Sequence, residues 1–147
     1  MVLLARLGLR RSEVAAIQLE DIDWRAGELQ VRGKGSRQDV LPVPSDVGEA
    51  LAGYLCRGRP RGFGRTLFLC ARAPLTGLSS GGVTSVVVRA CGRAGIPPVG
   101  AHRLRHTLAS ELLRLGAGLP EIGQVLRHQS LQTTAVYALG AAAPKAY

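Results

Sequence analysis

The sequence predicts a mixed α+β fold that is mostly α-helical, with one small antiparallel three-stranded sheet. Apolar residues recur at helical spacing in segments that begin at capping residues and end at glycine. Between residues 21 and 43 they instead alternate with polar residues and are separated by glycine-containing turns, as in a strand meander. With 147 residues, 46% of them hydrophobic, the chain is long enough to bury a core as one domain.

The first part of the chain is predicted to contain two short helices followed by the sheet. Met1–Leu7 is apolar and is typical of the end of a helix that stops at Gly8. Ser12–Ile17 is predicted to form a second helix, capped by its first residue. Pro42 and Pro44 place the third strand at an edge of the sheet or make it short. The three predicted strands are Asp21–Arg25, Glu28–Arg32 and Asp39–Val43.

The rest of the chain is predicted to be helical apart from one basic loop. The loop spans residues 57–65 and is rich in arginine and glycine. Two interpretations of it stay open, contact with a phosphate backbone and a solvated connection between elements. Ser45 is predicted to cap the first of these helices, which extends to about Cys56. The other predicted helices are Ser79 or Ser80 to about Ala94, about Arg103 to Leu115, Leu119–Leu126 and Leu131–Ala138.

The charge of the chain favours a polyanionic partner. Nineteen Lys and Arg residues against ten Asp and Glu residues give a formal net charge of +9. Solubility alone would also explain this charge, so that alternative stays open. Aromatic residues make up only 4% of the chain, too few for a surface that stacks single-stranded bases. Contact with the phosphates of a duplex is therefore the favoured form of nucleic-acid binding.

Cysteine usage and hydropathy predict a cytoplasmic protein without a membrane partner. Cys56, Cys70 and Cys91 are widely spaced, odd in number and outside any CxxC motif. They are predicted to be small reduced residues, neither a zinc site nor a disulfide framework. No apolar run approaches the length of a membrane span, and the N-terminus lacks the pattern of a signal peptide.

Six residues form a set that phosphoryl transfer can use. Two arginines can clamp a phosphate, a tyrosine can attack it, and a lysine can protonate the leaving oxygen. The HxxR pair starts a predicted helix, so its two side chains are expected on one face, where the helix N-terminus favours a phosphate. Each residue also has an ordinary structural interpretation, such as a salt bridge from the first arginine to Glu13. The six are Arg10, Lys34, His102, Arg105, His128 and Tyr137.

His106 leaves a second chemistry open. It lies four residues after His102, and on one helix such a pair could bind a metal, as a metal-dependent nuclease would require. A third ligand at suitable spacing is not evident in the sequence. A core or hydrogen-bonding role for His106 is therefore favoured over a metal site.

The order of these motifs resembles the tyrosine recombinase (phage integrase) family. Members of that family carry an arginine in a Gly-Leu-Arg turn, a lysine in a β-hairpin, an HxxR motif, a further histidine and a nucleophilic tyrosine. Glu13 also matches the acidic position that often follows the first arginine. The similarity extends from about Leu3 to Tyr137. The matching residues, in order, are Arg10, Lys34, His102, Arg105, His128 and Tyr137.

The resemblance implies site-specific recombination of double-stranded DNA through a 3′-phosphotyrosine intermediate. Arg10, Arg105 and His128 would bind the phosphate oxygens. Tyr137 would attack, with His102 accepting its proton. Lys34 would protonate the departing 5′ oxygen. Because the covalent bond conserves the energy of the broken one, neither ATP nor a metal cofactor is expected. The family pattern also implies a homo-oligomer, four protomers on two DNA sites.

The resemblance also has departures that concern the ends of the chain. Residues 1–147 are expected to be a recombinase catalytic domain that lacks the N-terminal DNA-clamping domain, the first catalytic-domain helix and a full tail after Tyr137. Arg127 occupies a place where many relatives carry glycine. A catalytically silent, DNA-binding remnant of such a recombinase is therefore the alternative to an active enzyme.

Overall fold

The computed structural model describes residues 1–33, 35, 37–61 and 64–127. Their architecture is helical around one small antiparallel sheet, so the predicted fold class is confirmed. The helices are α1 (Val2–Arg6), α2 (Arg11–Ala16), α3 (Ser45–Gly53), α4 (Ser80–Arg93), α5 (Ala101–Arg114) and α6 (Leu119–Val125). The strands are β1 (Ile22–Asp23), β2 (Glu28–Arg32) and β3 (Gln38–Pro42). The predicted helix Leu131–Ala138 lies outside the described residues.

The sheet has the order β1-β2-β3, with both pairs antiparallel. Leu29 and Val31 of the central strand are fully buried and face the core, as their alternation with polar residues predicts. The first strand is shorter than predicted, because a 3₁₀ turn over Leu19–Asp21 precedes it and the turn to β2 follows immediately. Pro42 ends β3, which is an edge strand, as predicted.

Two predicted helix caps are wrong. Helix α2 begins at Arg11, one residue before the predicted cap Ser12, and its N-cap residue is Arg10. The Glu13 carboxylate accepts from the backbone N–H of Arg10 and closes the first turn instead of a serine hydroxyl. Ser45 lies inside the first turn of α3, and Pro44 occupies the cap position without a side-chain hydrogen bond. Helix α4, predicted to start at Ser79 or Ser80, is capped by Ser79, which accepts from the N–H of Gly82 at 3.1 Å.

Helix α3 changes its winding before it ends. Residues Tyr54–Gly58 continue it as one π-helical turn, which extends beyond the predicted helix end at about Cys56. The Tyr54 side chain packs on Phe68 and its hydroxyl oxygen accepts from the N–H of Leu69 at 3.2 Å. Tyr54 is thus a structural aromatic residue.

Two apolar clusters support the C-terminal helices. The main core joins α1, α2, the sheet, α3 and α4, and includes Ala101 at the start of α5. A smaller cluster lies between α5 and α6 around Ala109, Ile122 and Leu126. The HxxR motif, His102–Arg105, lies on α5 between these two clusters. Among the described residues, no helix is long and apolar enough to cross a membrane.

Candidate active site

Arg10 lies at the N-cap of α2, directly after the turn at Gly8 and Leu9. Its backbone N–H donates to Glu13 Oε2 at 2.7 Å and its Nη1 donates to Glu13 Oε1 at 2.9 Å. The salt bridge that was the ordinary structural interpretation of Arg10 is therefore present. The Arg10 side chain is nevertheless 43% exposed. One edge of the guanidinium is anchored while the group remains accessible from solvent.

Glu13 is the buried anion of this region. Its side chain is 4% exposed and both carboxylate oxygens accept hydrogen bonds. Burial by itself raises the pKa of Glu13, but the backbone hydrogen bond of Arg10 and the charge of Arg127 outweigh it and lower the pKa. Glu13 is thus a carboxylate at neutral pH and a fixed acceptor for the arginines around it.

Arg105 is the most deeply buried charged residue of the described chain, at 2% exposure. It lies on the buried stripe of α5, between the buried residues Ala101 and Ala109. Nη1 donates to the carbonyl oxygen of Gly8, and Nη2 donates to the carbonyl oxygen of Leu126. Arg105 therefore ties the turn that precedes Arg10 to the end of α6.

Gly8 is required by this arrangement. Its φ is +59°, a left-handed conformation that glycine adopts without strain. A Cβ built there would lie 2.7 Å from Leu126 Cδ2 and 3.0 Å from Leu108 Cδ2. The close approach of the Gly8 backbone to α5 and α6 puts its carbonyl within reach of Arg105.

His102 lies in the first turn of α5 but does not share the burial of Arg105. It is exposed, and its ring packs edge-on against His106 with centroids 4.3 Å apart. Partial burial, and then the positive charges of Arg105 and Arg10, lower the pKa of His102. The charges of both arginines therefore act on His102. Because its pKa is lowered, His102 is neutral at physiological pH and can accept a proton.

Arg127 is the residue that sequence analysis did not include in the site. It follows the end of α6 with φ of 53°, a left-handed backbone that costs a non-glycine residue about 1 kcal/mol. Its side chain is only 9% exposed, and Nη2 donates to Glu13 Oε2 at 2.7 Å. The sequence held one signal for it, an arginine where many relatives carry glycine, but the Glu13 partner lies 114 positions away.

The structure therefore brings together three of the six predicted site residues, Arg10, His102 and Arg105. Lys34, His128 and Tyr137 lie outside the described residues. The flanks of Lys34 are a hairpin connection, in which the N–H of Gly33 donates to Arg37 O at 2.7 Å.

The basic loop is in part a structural element. Arg59 donates to the carbonyl oxygens of Leu67, Gly64 and Thr66 at 3.0–3.1 Å, so its guanidinium braces the loop from within. Arg65 pairs with Glu20 at 3.0 Å on the surface. These contacts favour the interpretation of the loop as a connection at these two arginines. Within the described part of the chain, no group of three His, Cys, Asp or Glu side chains could hold a metal, so the His102–His106 pair has no third ligand there.

Comparison with known proteins identifies the family. Residues 1–143 match the model of the phage integrase family. The chain belongs to this family, as its motifs indicate. It is 55% identical over 138 residues to the protein y4rA of Sinorhizobium fredii, named as an integrase/recombinase, and the match covers 92% of this chain and 34% of that protein. It is 41% identical over 143 residues to the tyrosine recombinase XerD of Mycobacterium tuberculosis, covering 93% of this chain and 45% of that protein.

Solved structures agree with this assignment. The XerA recombinase superposes with a TM-score of 0.80 at 28% identity, over 92% of this chain and 50% of that one. The XerH recombinase bound to its difH substrate superposes with a TM-score of 0.75 at 25% identity, over 92% of this chain and 40% of that one. The chain thus spans between a third and a half of the length of these relatives.

Proposed function

We propose that this chain is the catalytic part of a site-specific recombinase that breaks and rejoins double-stranded DNA through a 3′-phosphotyrosine intermediate. The observation that carries the proposal is the convergence of Arg10, His102 and Arg105 at one place, beside the segment that leads into His128. That convergence occurs in a chain of the phage integrase family. The structural relative XerH is a recombinase bound to its DNA substrate, which supports duplex DNA as the partner.

The chemistry follows from the charge of a phosphodiester. Its non-bridging oxygens repel a nucleophile, so the transition state needs fixed positive donors around it. Arg10 is anchored by Glu13 yet accessible, and can offer two parallel N–H donors to such oxygens. Arg105 is held by two backbone carbonyls, and its guanidinium would add a second fixed positive charge beside the phosphate. His128 is proposed to add a further donor.

Proton transfer is assigned to the remaining residues. Tyr137 is the proposed nucleophile, and guanidinium charge nearby would favour its phenolate. His102, neutral at physiological pH, would accept or relay the phenol proton. Lys34, in the connection between β2 and β3, would protonate the departing 5′ oxygen. The covalent 3′-phosphotyrosine bond conserves the energy of the broken bond, so the proposed reaction uses neither ATP nor a metal.

Assembly and location follow from the same proposal. Cleavage of two DNA sites requires four active tyrosines, and a homotetramer on DNA supplies them. Because the proposed substrate is the DNA of the cell, the cytoplasm stays the predicted location.

Trapping on a nicked duplex tests the proposal. Loss of the short fragment at the nick prevents religation, so an active chain accumulates as a covalent protein–DNA band. We expect the band with the wild-type chain and with Tyr147→Phe, a matched control that removes a hydroxyl from the terminal residue, but not with Tyr137→Phe. The band should be indifferent to a chelator.

Two other results would support the alternatives instead. If duplex binding is salt-sensitive but no covalent band forms, the chain is a catalytically silent DNA-binding remnant. Cutting that needs a divalent metal and leaves no adduct would support a nuclease that uses His102 and His106.

A further inference from the structure

Arg127 is a nearly buried charged residue to which the proposed chemistry gives no role. It is 9% exposed, and Nη2 forms an ion pair with Glu13 at 2.7 Å. Its Nε and Nη1 are also buried, and neither has a hydrogen-bond acceptor within the described part of the chain. Glu13 is therefore the single described anchor of this guanidinium. A buried arginine with one carboxylate partner is held there by that partner's charge.

The partner is shared with a proposed catalytic residue. Glu13 Oε2 accepts from both Arg127 Nη2 and the backbone N–H of Arg10, and Oε1 accepts from Arg10 Nη1. One carboxylate thus joins the start of α2 to the residue after α6. Arg105 joins the same two regions through Gly8 and Leu126, the residue before Arg127.

The charges of this cluster have a consequence for phosphate binding. If the Glu13 carboxylate were paired with Arg10 alone, its negative charge would cancel the positive charge of Arg10. Such a neutral pair attracts a phosphate only weakly. Arg127 brings a second positive charge to the same carboxylate in a water-poor environment, where charges are poorly screened. Two guanidinium groups and one carboxylate leave the cluster with a net positive charge.

We propose that Arg127 is a positioning residue of the candidate active site. Through the Glu13 carboxylate that it shares with Arg10, Arg127 holds Arg10 in place and keeps the net charge of the cluster positive near the scissile phosphate. Arg127 acts through Glu13 and does not itself touch the DNA. This inference rests on the proposed function.

Arg127→Lys and Arg127→Gln separate charge from hydrogen bonding. Lysine keeps the positive charge, whereas glutamine keeps an N–H donor and loses the charge. Arg114→Gln is the matched control, because Arg114 also faces a carboxylate, Glu111 at 3.8 Å, but is 74% exposed. We expect the single-turnover rate of adduct formation to fall at least tenfold in Arg127→Gln, to fall less in Arg127→Lys and to stay unchanged in Arg114→Gln.

A double-mutant cycle with Glu13→Gln tests whether Arg127 acts through Glu13. In Glu13→Gln the side chain at position 13 carries no negative charge, so Arg127 has no charge to offset there. Arg127→Gln should therefore change the rate of adduct formation less than twofold when it is added to Glu13→Gln. A further tenfold fall there, or an unchanged rate in Arg127→Gln alone, would overturn the inference while the proposed function stands. Circular dichroism confirms that each variant is folded before its rate is compared.

A carboxylate titration measured by nuclear magnetic resonance separates failure of this inference from failure of the proposed function. It follows Glu13 in the wild-type chain, Arg127→Lys and Arg127→Gln, and needs no catalysis. We expect the pKa of Glu13 to rise in Arg127→Gln and to change less in Arg127→Lys. If the wild-type chain forms no adduct, the proposed function fails, and an unchanged Glu13 pKa in Arg127→Gln would then overturn the coupling as well.

Discussion

Arg105 donates through Nη1 to the carbonyl oxygen of Gly8, 97 residues earlier in the chain. This contact, with the second one to Leu126, makes Arg105 both a proposed phosphate ligand and the link between the two ends of the candidate site. Structural and catalytic effects of changing Arg105 must therefore be measured separately.

Arg105→Ala should remove DNA cleavage and also lower stability. The change leaves two buried carbonyl oxygens without their donor, for which we expect a loss of about 3 kcal/mol in the free energy of unfolding. Duplex binding at a temperature where the variant is folded should stay close to wild type, since many other cations contribute to it. Urea denaturation, gel shift and adduct trapping measure the three quantities. Equal loss of binding and cleavage in a folded variant would contradict the assignment of Arg105 as a phosphate ligand.

Gly8→Ala should destabilise the chain more than Gly27→Ala. Both glycines have positive φ, +59° and +67°, so both changes cost about 1 kcal/mol of backbone strain. At Gly8 the added methyl also meets Leu126 and Leu108, whereas at Gly27 nothing lies within 4 Å. We expect a loss of about 3 kcal/mol for Gly8→Ala, measured by urea denaturation. Equal losses for the two variants would show that the Gly8 backbone does not lie against α5 and α6.

Glu13→Gln should change how stability depends on pH. The folded-state pKa of Glu13 lies below its ordinary value of 4.5, so its stabilising effect is fully present above pH 4.5 and is lost as pH falls through the lowered pKa. At pH 7 we expect the variant to be about 3 kcal/mol less stable, because Arg127 keeps its buried charge without a partner. The difference from wild type should shrink below pH 4.5. Parallel stability curves across that range would contradict the ion-pair account.

Arg10→Gln should raise the pKa of His102, while Arg10→Lys should leave it nearly unchanged. The charge of Arg10 contributes, after burial and Arg105, to the lowered value. Histidine proton shifts recorded against pH measure this directly. The pKa of His106 should change less, because Arg10 is not among the causes of its lowering and can affect it only through the charge of His102. A His102 titration that is the same in Arg10→Gln and wild type would place Arg10 away from the histidine.

Arg59→Ala should lower stability and leave duplex binding nearly unchanged. Its guanidinium donates to three backbone carbonyls of the loop, and we expect a loss of about 2 kcal/mol when these bonds are removed. Arg61→Ala, a change at an exposed arginine of the same loop, is the comparison. If Arg59→Ala lowers the affinity for duplex DNA more than Arg61→Ala does, the loop contacts DNA through Arg59, and the interpretation as a simple connection is wrong.

The elements that were predictable from the sequence have strong local signals. The strand Glu28–Arg32 has the predicted bounds because Leu29 and Val31 alternate with polar residues, and Ser79 caps α4 because a serine precedes an apolar helical pattern. The cap of α2 was missed because the Glu13 carboxylate accepts from the N–H of Arg10, so the helix begins at Arg11, before the serine. Where the helix begins is decided by geometry that sequence spacing does not contain.

The sequence predicted which residues belong to the candidate site better than it predicted their hydrogen-bond partners. Motif order alone grouped Arg10, His102 and Arg105, which the structure brings together. The acceptors of Arg105 and the Glu13 partner of Arg127 could not be predicted, because each contact joins segments at least 21 residues apart that meet only in the folded chain. A buried arginine at a left-handed position has no local signature beyond the absence of the expected glycine.

The most direct test of the account is to identify the residue that carries the DNA in the trapped adduct. The wild-type chain is incubated with a nicked duplex, the adduct is digested with protease and nuclease, and the modified peptide is sequenced by mass spectrometry. The account predicts a nucleotide linked through its 3′-phosphate to Tyr137. A nucleotide linked to another residue, or the absence of any adduct from a folded chain that binds the duplex, would contradict it.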